Sequence, residues 1–172
     1  MDVIKGPGGI REEEFVELVE QHQTMLLRMC YMVLKDQEAA RDAVQETFLK
    51  AYRGMGAFRG VSSRKTWLTT NAMNTCRDMR RSAWYRYMDR RVTPEELPIA
   101  ALPPEEEDRE LTLRVMQLPP RLREVVVLYY YQDMNVVEIA KTLRLAQSTV
   151  TARMKRAREK LREVLEGGDD RE

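Results

Sequence analysis

The sequence predicts an all-α protein made of two small helical domains joined by an acidic, proline-rich linker. Two observations predict this fold: apolar residues recur at steps of three and four along most of the chain, and no series of alternating residues indicates a sheet. A third observation divides the chain, because residues 92–110 hold four of the seven prolines and no sustained apolar period. The 172 residues have room for two such domains, which we expect over residues 10–91 and 111–166.

The first domain is predicted to begin with two amphipathic helices. Apolar positions over residues 15–33 form one face of a helix of about five turns. Asp36 is expected to cap a second helix, whose apolar positions run over residues 40–52. Glycines at 54, 56 and 60 then end this helix.

A third helix completes the predicted bundle, and two more open the second domain. Ser62 or Ser63 can cap the third helix, which is predicted over about residues 64–87. In the second domain, a helix is expected over residues 104–117. Two prolines at 119 and 120 then open another helix that runs to about Tyr131.

The end of the chain has the pattern of a helix-turn-helix. Asn135 and Glu138 have the spacing of a capping box, a short break follows at residues 144–146, and a long helix is predicted over residues 147–165. The inward side of this long helix is formed by Val150, Met154, Ala157 and Leu161. Its outward side carries Thr149, Thr151, Arg153, Lys155, Arg156, Arg158 and Lys160.

The net charge is +1, but the charged residues are distributed unevenly along the chain. Residues 10–91 carry +4, residues 92–110 carry −6, and residues 111–166 carry +5. Basic blocks of this size suit a polyanion. The major groove of DNA accepts one α-helix, and Arg, Lys and Thr side chains can hydrogen-bond to base edges there. The outward side of the last helix therefore indicates DNA binding, and a solvated basic helix that closes a bundle is the alternative.

Several classes of protein are excluded by the same sequence. No run approaches the roughly 18 apolar residues of a membrane span, and the N-terminus lacks a signal-peptide pattern, so we expect a cytoplasmic protein with no membrane insertion. Cys30 and Cys76 have no metal-ligand spacing, and His22 is the one histidine, so we expect no metal and no cofactor. A Gly-rich phosphate loop is also absent, and we predict that the chain is not an enzyme.

Three motifs in order carry a family resemblance. The first is DAVQETFLKAY at residues 42–52, the second is FRGVSS at residues 58–63 followed by Trp67-Leu68, and the third is STVTARMKRAR at residues 148–158. With these motifs the chain resembles bacterial sigma factors of the extracytoplasmic-function (ECF) group. This group keeps only the second and fourth conserved sigma regions, which fits the length of this chain. The resemblance implies a protein that binds core RNA polymerase and directs promoter recognition and transcription initiation.

The resemblance also implies roles for individual residues. The segment similar to the polymerase-binding segment of the family supplies Asp42, Gln45, Glu46 and Lys50. The positions that match residues recognising and opening the minus-ten element are Phe58, Ser62, Ser63, Asn74, Arg77, Arg80 and Arg81. The helix similar to the one that reads the minus-thirty-five element supplies Ser148, Thr149, Thr151, Arg153, Lys155 and Arg156.

The expected partners follow from the resemblance, but the chain departs from the family pattern at some positions and alternative functions remain open. The resemblance implies core RNA polymerase, promoter DNA and an anti-sigma factor as partners. The chain departs from the family pattern at Arg144, where the turn usually has glycine, and at Ala146, where a serine usually caps the next helix. A transcriptional regulator that binds operator DNA without polymerase is the alternative function, and a protein that sequesters a partner through its helical faces is a third.

Overall fold

The computed structural model describes residues 8–58, 60, 62–82 and 106–167. These residues contain helices and turns but no strand, which confirms the predicted all-α class. The chain divides into two compact units, residues 1–91 and residues 92–172. The helices are α1 (Glu12–Leu34), α2 (Gln37–Gly54), α3 (Arg64–Arg81), α4 (Glu106–Gln117), α5 (Pro120–Val126), α6 (Val136–Leu143) and α7 (Gln147–Gly167).

The N-terminal unit is a bundle in which α1, α2 and α3 each pack against the other two. Its core is built from the apolar faces that the helical period predicted, with fully buried side chains on every helix. These include Leu18, Leu26, Cys30, Ala40, Ala43, Ala51, Leu68, Ala72 and Cys76. Alanines at several of these positions leave little side-chain volume between the helices, which allows their backbones to approach closely.

Side-chain caps fix where the helices of this unit begin. The Asp36 carboxylate accepts a hydrogen bond from the backbone N–H of Ala39 at 2.7 Å, as predicted. Of the two serines offered by the sequence, Ser63 caps α3, because its hydroxyl accepts from the N–H of Thr66 at 3.0 Å. Helix α3 ends at Arg81, because Ser82 is extended with φ of −64° and ψ of 141°, so the predicted continuation of this helix to about residue 87 is wrong. Residues 83–105 lie outside the described part.

The C-terminal unit contains the predicted helix-turn-helix. Asn135 and Glu138 form a reciprocal capping box, in which each side chain accepts the other residue's backbone N–H at 2.9 Å. Helix α6 ends at Leu143, and Arg144, which caps it, has a left-handed conformation with φ of 56° and ψ of 49°. This is the position where the family pattern has glycine, so here an arginine adopts a conformation that glycine enters with less strain.

The remaining helices of this unit hold the helix-turn-helix in place. Arg123 is buried, and its guanidinium donates to the carbonyls of Met116 and Leu118 at the end of α4. Helix α5 is followed by a π-helical turn over Val127–Tyr131, after which the chain enters α6. On α7, Val150, Met154 and Ala157 are buried against the unit, as the inward stripe predicted. The acidic segment from 92 to 105 lies outside the described residues.

Candidate nucleic-acid interface and partner-binding face

One side of α2 presents polar side chains to the surface. Asp42, Gln45 and Glu46 are exposed, whereas Ala43 and Val44 between them are buried. Leu49 lies on the same side and is 48% exposed. An exposed leucine among polar groups suits a protein partner better than a nucleic acid. Leu49 was not among the predicted site residues, although its spacing from Gln45 and Glu46 places it on their face.

Lys50 differs from the other polar residues of this face, because it reaches the neighbouring helix. Its Nζ lies 3.9 Å from Oε1 of Glu46 and donates a hydrogen bond to the hydroxyl of Thr75 on α3 at 3.2 Å. The Thr75 hydroxyl in turn donates to the carbonyl of Asn71 at 2.9 Å. Lys50 therefore connects the exposed side of α2 to α3.

A stripe of polar residues runs along the accessible side of α3. Asn71, Asn74 and Arg77 are partly exposed, and Arg81 is fully exposed, with its Nη1 atom 3.7 Å from the Asp78 carboxylate. The spacing of three and four residues puts them on one face, which can follow a nucleic-acid backbone.

Arg80 does not share this face with the other two arginines of the predicted set. The Nε and Nη1 atoms of its guanidinium are buried, and its charge lies close enough to the buried Cys76 thiol to influence it. Since consecutive residues of a helix are rotated by about 100°, position 80 falls beside the packed side of α3. The structure thus brings Asn74, Arg77 and Arg81 together and places Arg80 at their edge.

Two aromatic rings meet in front of α3. The ring centroids of Phe58 and Trp67 are 5.7 Å apart, and the ring planes are inclined at 63°. Both side chains are partly exposed. Ser62 is also partly exposed. Ser63 is exposed, but its hydroxyl already accepts the hydrogen bond that begins α3. Trp67 is therefore a neighbour of the predicted Phe58 site.

A basic groove lies between the start of α5 and the outward side of α7. Its volume is about 590 Å³. The lining residues are Pro119, Arg121, Leu122, Ser148, Thr149, Ala152, Arg153, Arg156 and Lys160. Four of them are cationic, and small or hydroxyl side chains lie among them. Such a surface can pair with phosphates and offer hydrogen bonds to base edges.

Four of the six residues predicted to contact the minus-thirty-five element line this groove, together with two further cationic residues. Ser148, Thr149, Arg153 and Arg156 line it, whereas Thr151 and Lys155 are exposed on an adjacent side of α7. The Thr151 hydroxyl donates to the carbonyl of Gln147 at 3.1 Å. Arg121 and Lys160 were not among the predicted site residues. Lys160 is separated from Arg156 by one turn and has a sequence signal, but Arg121 reaches the groove only through the tertiary fold.

His22 and the cysteines take no part in these surfaces. His22 is partly exposed rather than in the core, and burial together with the charges of Lys65 and Arg64 lowers its pKa. Cys30 and Cys76 are buried free thiols. Over the described ranges, no three His, Cys, Asp or Glu side chains are grouped to hold a metal ion. In the same part of the chain, no helix combines the length and apolarity needed to cross a membrane.

Comparison with known proteins connects these surfaces to a family. Residues 18–86 match the family model of Sigma-70 region 2, and residues 115–163 match Sigma-70 region 4. The chain is 31% identical to the RNA polymerase sigma-H factor of Pseudomonas aeruginosa, over 87% of this chain and 84% of that protein. It is 30% identical to the ECF RNA polymerase sigma factor SigM of Mycobacterium tuberculosis, over 88% of this chain and 76% of that protein.

A solved structure has the same fold. The sigma factor RpoE from Bartonella quintana, determined in complex with the anti-sigma factor NepR, matches with a TM-score of 0.72 over 90% of this chain and 98% of that one, at 21% identity. The two matched regions occur in the order that the three sequence motifs predicted. The two curated relatives are both sigma factors, and the matches cover most of their length and most of this chain. The chain therefore belongs to the RNA polymerase sigma factors of the ECF group.

Proposed function

We propose that this sigma factor divides its work between its two units. Residues 10–91 act as region 2, which binds core polymerase and opens the minus-ten element. Residues 111–166 act as region 4, which reads the minus-thirty-five element, and residues 92–110 join them as a linker. The polymerase performs the chemistry, so the chain is not itself an enzyme, and it works in the cytoplasm with the polymerase.

The exposed side of α2 is the proposed contact with core polymerase. Asp42, Gln45 and Glu46 supply polar groups there, Leu49 supplies an apolar side chain, and Lys50 lies at the edge. Interfaces between proteins combine an apolar centre with a polar rim, and this side of α2 has that composition. This observation carries the proposal of polymerase binding.

Opening of the minus-ten element is assigned to the front of α3. Removing a base from the stack costs a few kcal/mol, which a receiving pocket can offset. Phe58 can stack against or border a displaced base, and Asn74 can hydrogen-bond to its edge. Ser62 and Ser63 lie at the entry to the same helix. Arg77 and Arg81 would hold the phosphate backbone along the helix, with Arg80 as a weaker contributor because part of its guanidinium is buried.

Recognition of the minus-thirty-five element is assigned to the basic groove. Ser148, Thr149, Arg153 and Arg156 face the bases or the nearest phosphates. Thr151 and Lys155, from the adjacent side of α7, would meet the other edge of the major groove. Arg121 and Lys160 add phosphate contacts that position α7 in the groove. The gathering of four cations and three small or hydroxyl residues in one groove is the observation that supports this assignment.

Co-elution with core polymerase tests the proposed function without knowledge of the promoter. Wild-type protein should form a stoichiometric complex with bacterial core RNA polymerase on a size-exclusion column, and Glu46→Lys should lose it. Glu20→Lys is the matched control, because it makes the same charge change at an exposed position of α1. Loss of the complex in both variants would contradict a specific role for α2.

The second candidate function, a regulator that acts without polymerase, predicts a different result. A folded wild-type protein that never elutes with polymerase, yet binds duplex DNA, would favour it. The groove of the C-terminal unit fits both functions, whereas the exposed side of α2 favours the sigma function.

We also propose an anti-sigma factor as a partner of this chain. The RpoE neighbour was determined with a partner of that class, and exposed Leu49 and Tyr130 offer apolar contacts.

A further inference from the structure

We propose that Lys50 and Thr75 form a positioning link that holds the DNA-facing helix α3 in register with the polymerase-facing helix α2. The inference rests on the proposed function of those two helices and adds a residue pair that acts between them. Neither residue needs to touch DNA for this role, because they act through the orientation of α3.

The link consists of directional contacts across the interface of two helices. The Lys50 ammonium donates to the Thr75 hydroxyl at 3.2 Å, and that hydroxyl donates to the carbonyl of Asn71 at 2.9 Å. Thr75 is only 4% exposed, whereas the Lys50 side chain is 46% exposed, so this hydrogen bond is part-buried and only its acceptor lies in the packed interior. A hydrogen bond from a charged donor is stronger than a neutral one, and burial of the acceptor strengthens it further.

The surrounding packing explains why such a link has an effect on orientation. Elsewhere, α2 and α3 bury Ala43, Ala51 and Ala72 together with the large side chains of Phe48, Leu68 and Met73. These close-packed side chains set the rotation of α3 about its axis, because a large rotation would expose them, and they leave only small adjustments within the packing. A hydrogen bond is directional. The Lys50–Thr75 contact therefore adds a directional restraint on these small adjustments of α3.

The position of the link relates it to promoter opening. Thr75 follows Asn74 directly and lies one turn after Asn71, and both asparagines are on the accessible stripe of α3. At the other end, the Lys50 ammonium lies 3.9 Å from the Glu46 carboxylate on the proposed polymerase face. A rotation of α3 would move the asparagines relative to Glu46. The link thus sets where the base-contacting groups stand once polymerase holds α2.

The test separates polymerase affinity from promoter opening in reconstituted holoenzyme. The promoter is one selected from a random duplex library by transcription with wild-type holoenzyme, and opening is followed by permanganate reactivity of unpaired thymines. Thr75→Val keeps the shape of the side chain and removes the acceptor. We expect it to leave polymerase affinity within about twofold and to lower opening by roughly three- to tenfold. Thr75→Ser, which keeps the hydroxyl, should behave as wild type.

Variants of Lys50 form the second part of the promoter-opening experiment. Because Lys50 also borders the proposed polymerase contact, opening is compared with polymerase saturated by each variant. Lys50→Met should then lower opening by the same factor, Lys50→Arg should retain most of it, and the double variant Lys50→Met/Thr75→Val should be no worse than either single one. Independent, multiplying losses in the double variant would overturn the link, as would normal opening with Thr75→Val. If Thr75→Val fails to fold, the contrast between Lys50→Met and Lys50→Arg decides, because Lys50 is exposed enough to tolerate both.

Failure of this inference is distinguishable from failure of the proposed function. Wild-type protein that does not bind polymerase, or whose holoenzyme selects no promoter, would contradict the proposed function. Wild-type opening that is unaffected by either set of variants would contradict the link alone.

Discussion

Arg158 is held by Tyr130 on the side of α7 that faces away from the basic groove. Its Nε donates to the Tyr130 hydroxyl at 2.9 Å, and its guanidinium carbon lies 5.8 Å from the centre of the Tyr130 ring and 5.9 Å from that of Tyr129. Arg156, two residues earlier, lines the groove instead. Two arginines of one helix therefore have different expected roles, one in packing and one in DNA binding.

The first prediction compares these two arginines. Arg156→Ala should weaken binding to the minus-thirty-five element by about 1 to 3 kcal/mol if the side chain reads a base. Arg158→Ala should leave DNA binding nearly unchanged, because its guanidinium is directed at the tyrosines. Fluorescence anisotropy with selected and random duplexes measures both. If Arg156→Ala loses as much affinity for random DNA as for the selected duplex, Arg156 contacts a phosphate and does not read a base. A larger loss of affinity with Arg158→Ala than with Arg156→Ala would contradict the assigned sides of α7.

The second prediction concerns the capping box of α6. Asn135→Ala removes the oxygen that accepts the N–H of Glu138, and it should lower the free energy of unfolding of the C-terminal unit by about 1 kcal/mol. Asn135→Asp keeps an acceptor and should retain most of the stability. Denaturant unfolding of the full chain, followed by tyrosine fluorescence, provides the measurement. Equal stability of all three proteins would show that the capping box makes no net contribution.

Much of the fold was predictable because the deciding contacts are local. Asp36, Ser63 and Asn135 each accept a hydrogen bond from a residue three positions further along the chain, so sequence spacing alone indicates them. The apolar period likewise gave the packed faces of the long helices. A choice between Ser62 and Ser63 remained open, because both have the chemistry of a cap and only the backbone path decides between them.

The parts that sequence did not predict depend on contacts between separate elements. Arg121 joins the basic groove from α5, some 30 residues before the helix it accompanies, and no local pattern indicates that. Lys50 was expected to contact polymerase by family resemblance, and its hydrogen bond to Thr75 links positions 25 residues apart. The rotation between successive residues of a helix already places Arg80 on a different side of α3 from Arg77 and Arg81. The family motif nevertheless groups all three.

The third prediction concerns the left-handed residue at the helix-turn-helix break. Arg144 has φ of 56°, a conformation that strains a residue with a Cβ atom. Arg144→Gly should stabilise the C-terminal unit by about 0.5 to 1 kcal/mol, since glycine adopts this conformation without strain, although it also gains freedom in the unfolded chain. Arg162→Gly, at an exposed position inside α7, is the control and should destabilise the unit by about 1 kcal/mol. A loss of stability with Arg144→Gly would mean that the arginine side chain makes a contribution larger than the strain.

The last prediction concerns the buried thiols of the N-terminal unit. Contact with the Cys30 thiol, together with burial, raises the pKa of Cys76 well above its usual range. The neutral thiol is therefore favoured in the folded state, and this contribution to stability is complete below the ordinary thiol pKa of about 8.5. As pH rises above that value, the unfolded thiol ionises while the folded one stays protonated, so stability is lost progressively toward the raised pKa.

Cys76→Ala is the variant that checks this pH dependence. Wild-type stability should fall more steeply with pH in the alkaline range than that of Cys76→Ala, when both are measured by denaturant unfolding over the same series of buffers. In the folded protein, both thiols should react with an aromatic disulfide reagent far more slowly than in denaturant, because both are buried away from the reagent. Parallel stability curves for the two proteins would contradict a raised Cys76 pKa, and rapid reaction of native protein at pH 7 would contradict burial of the thiols.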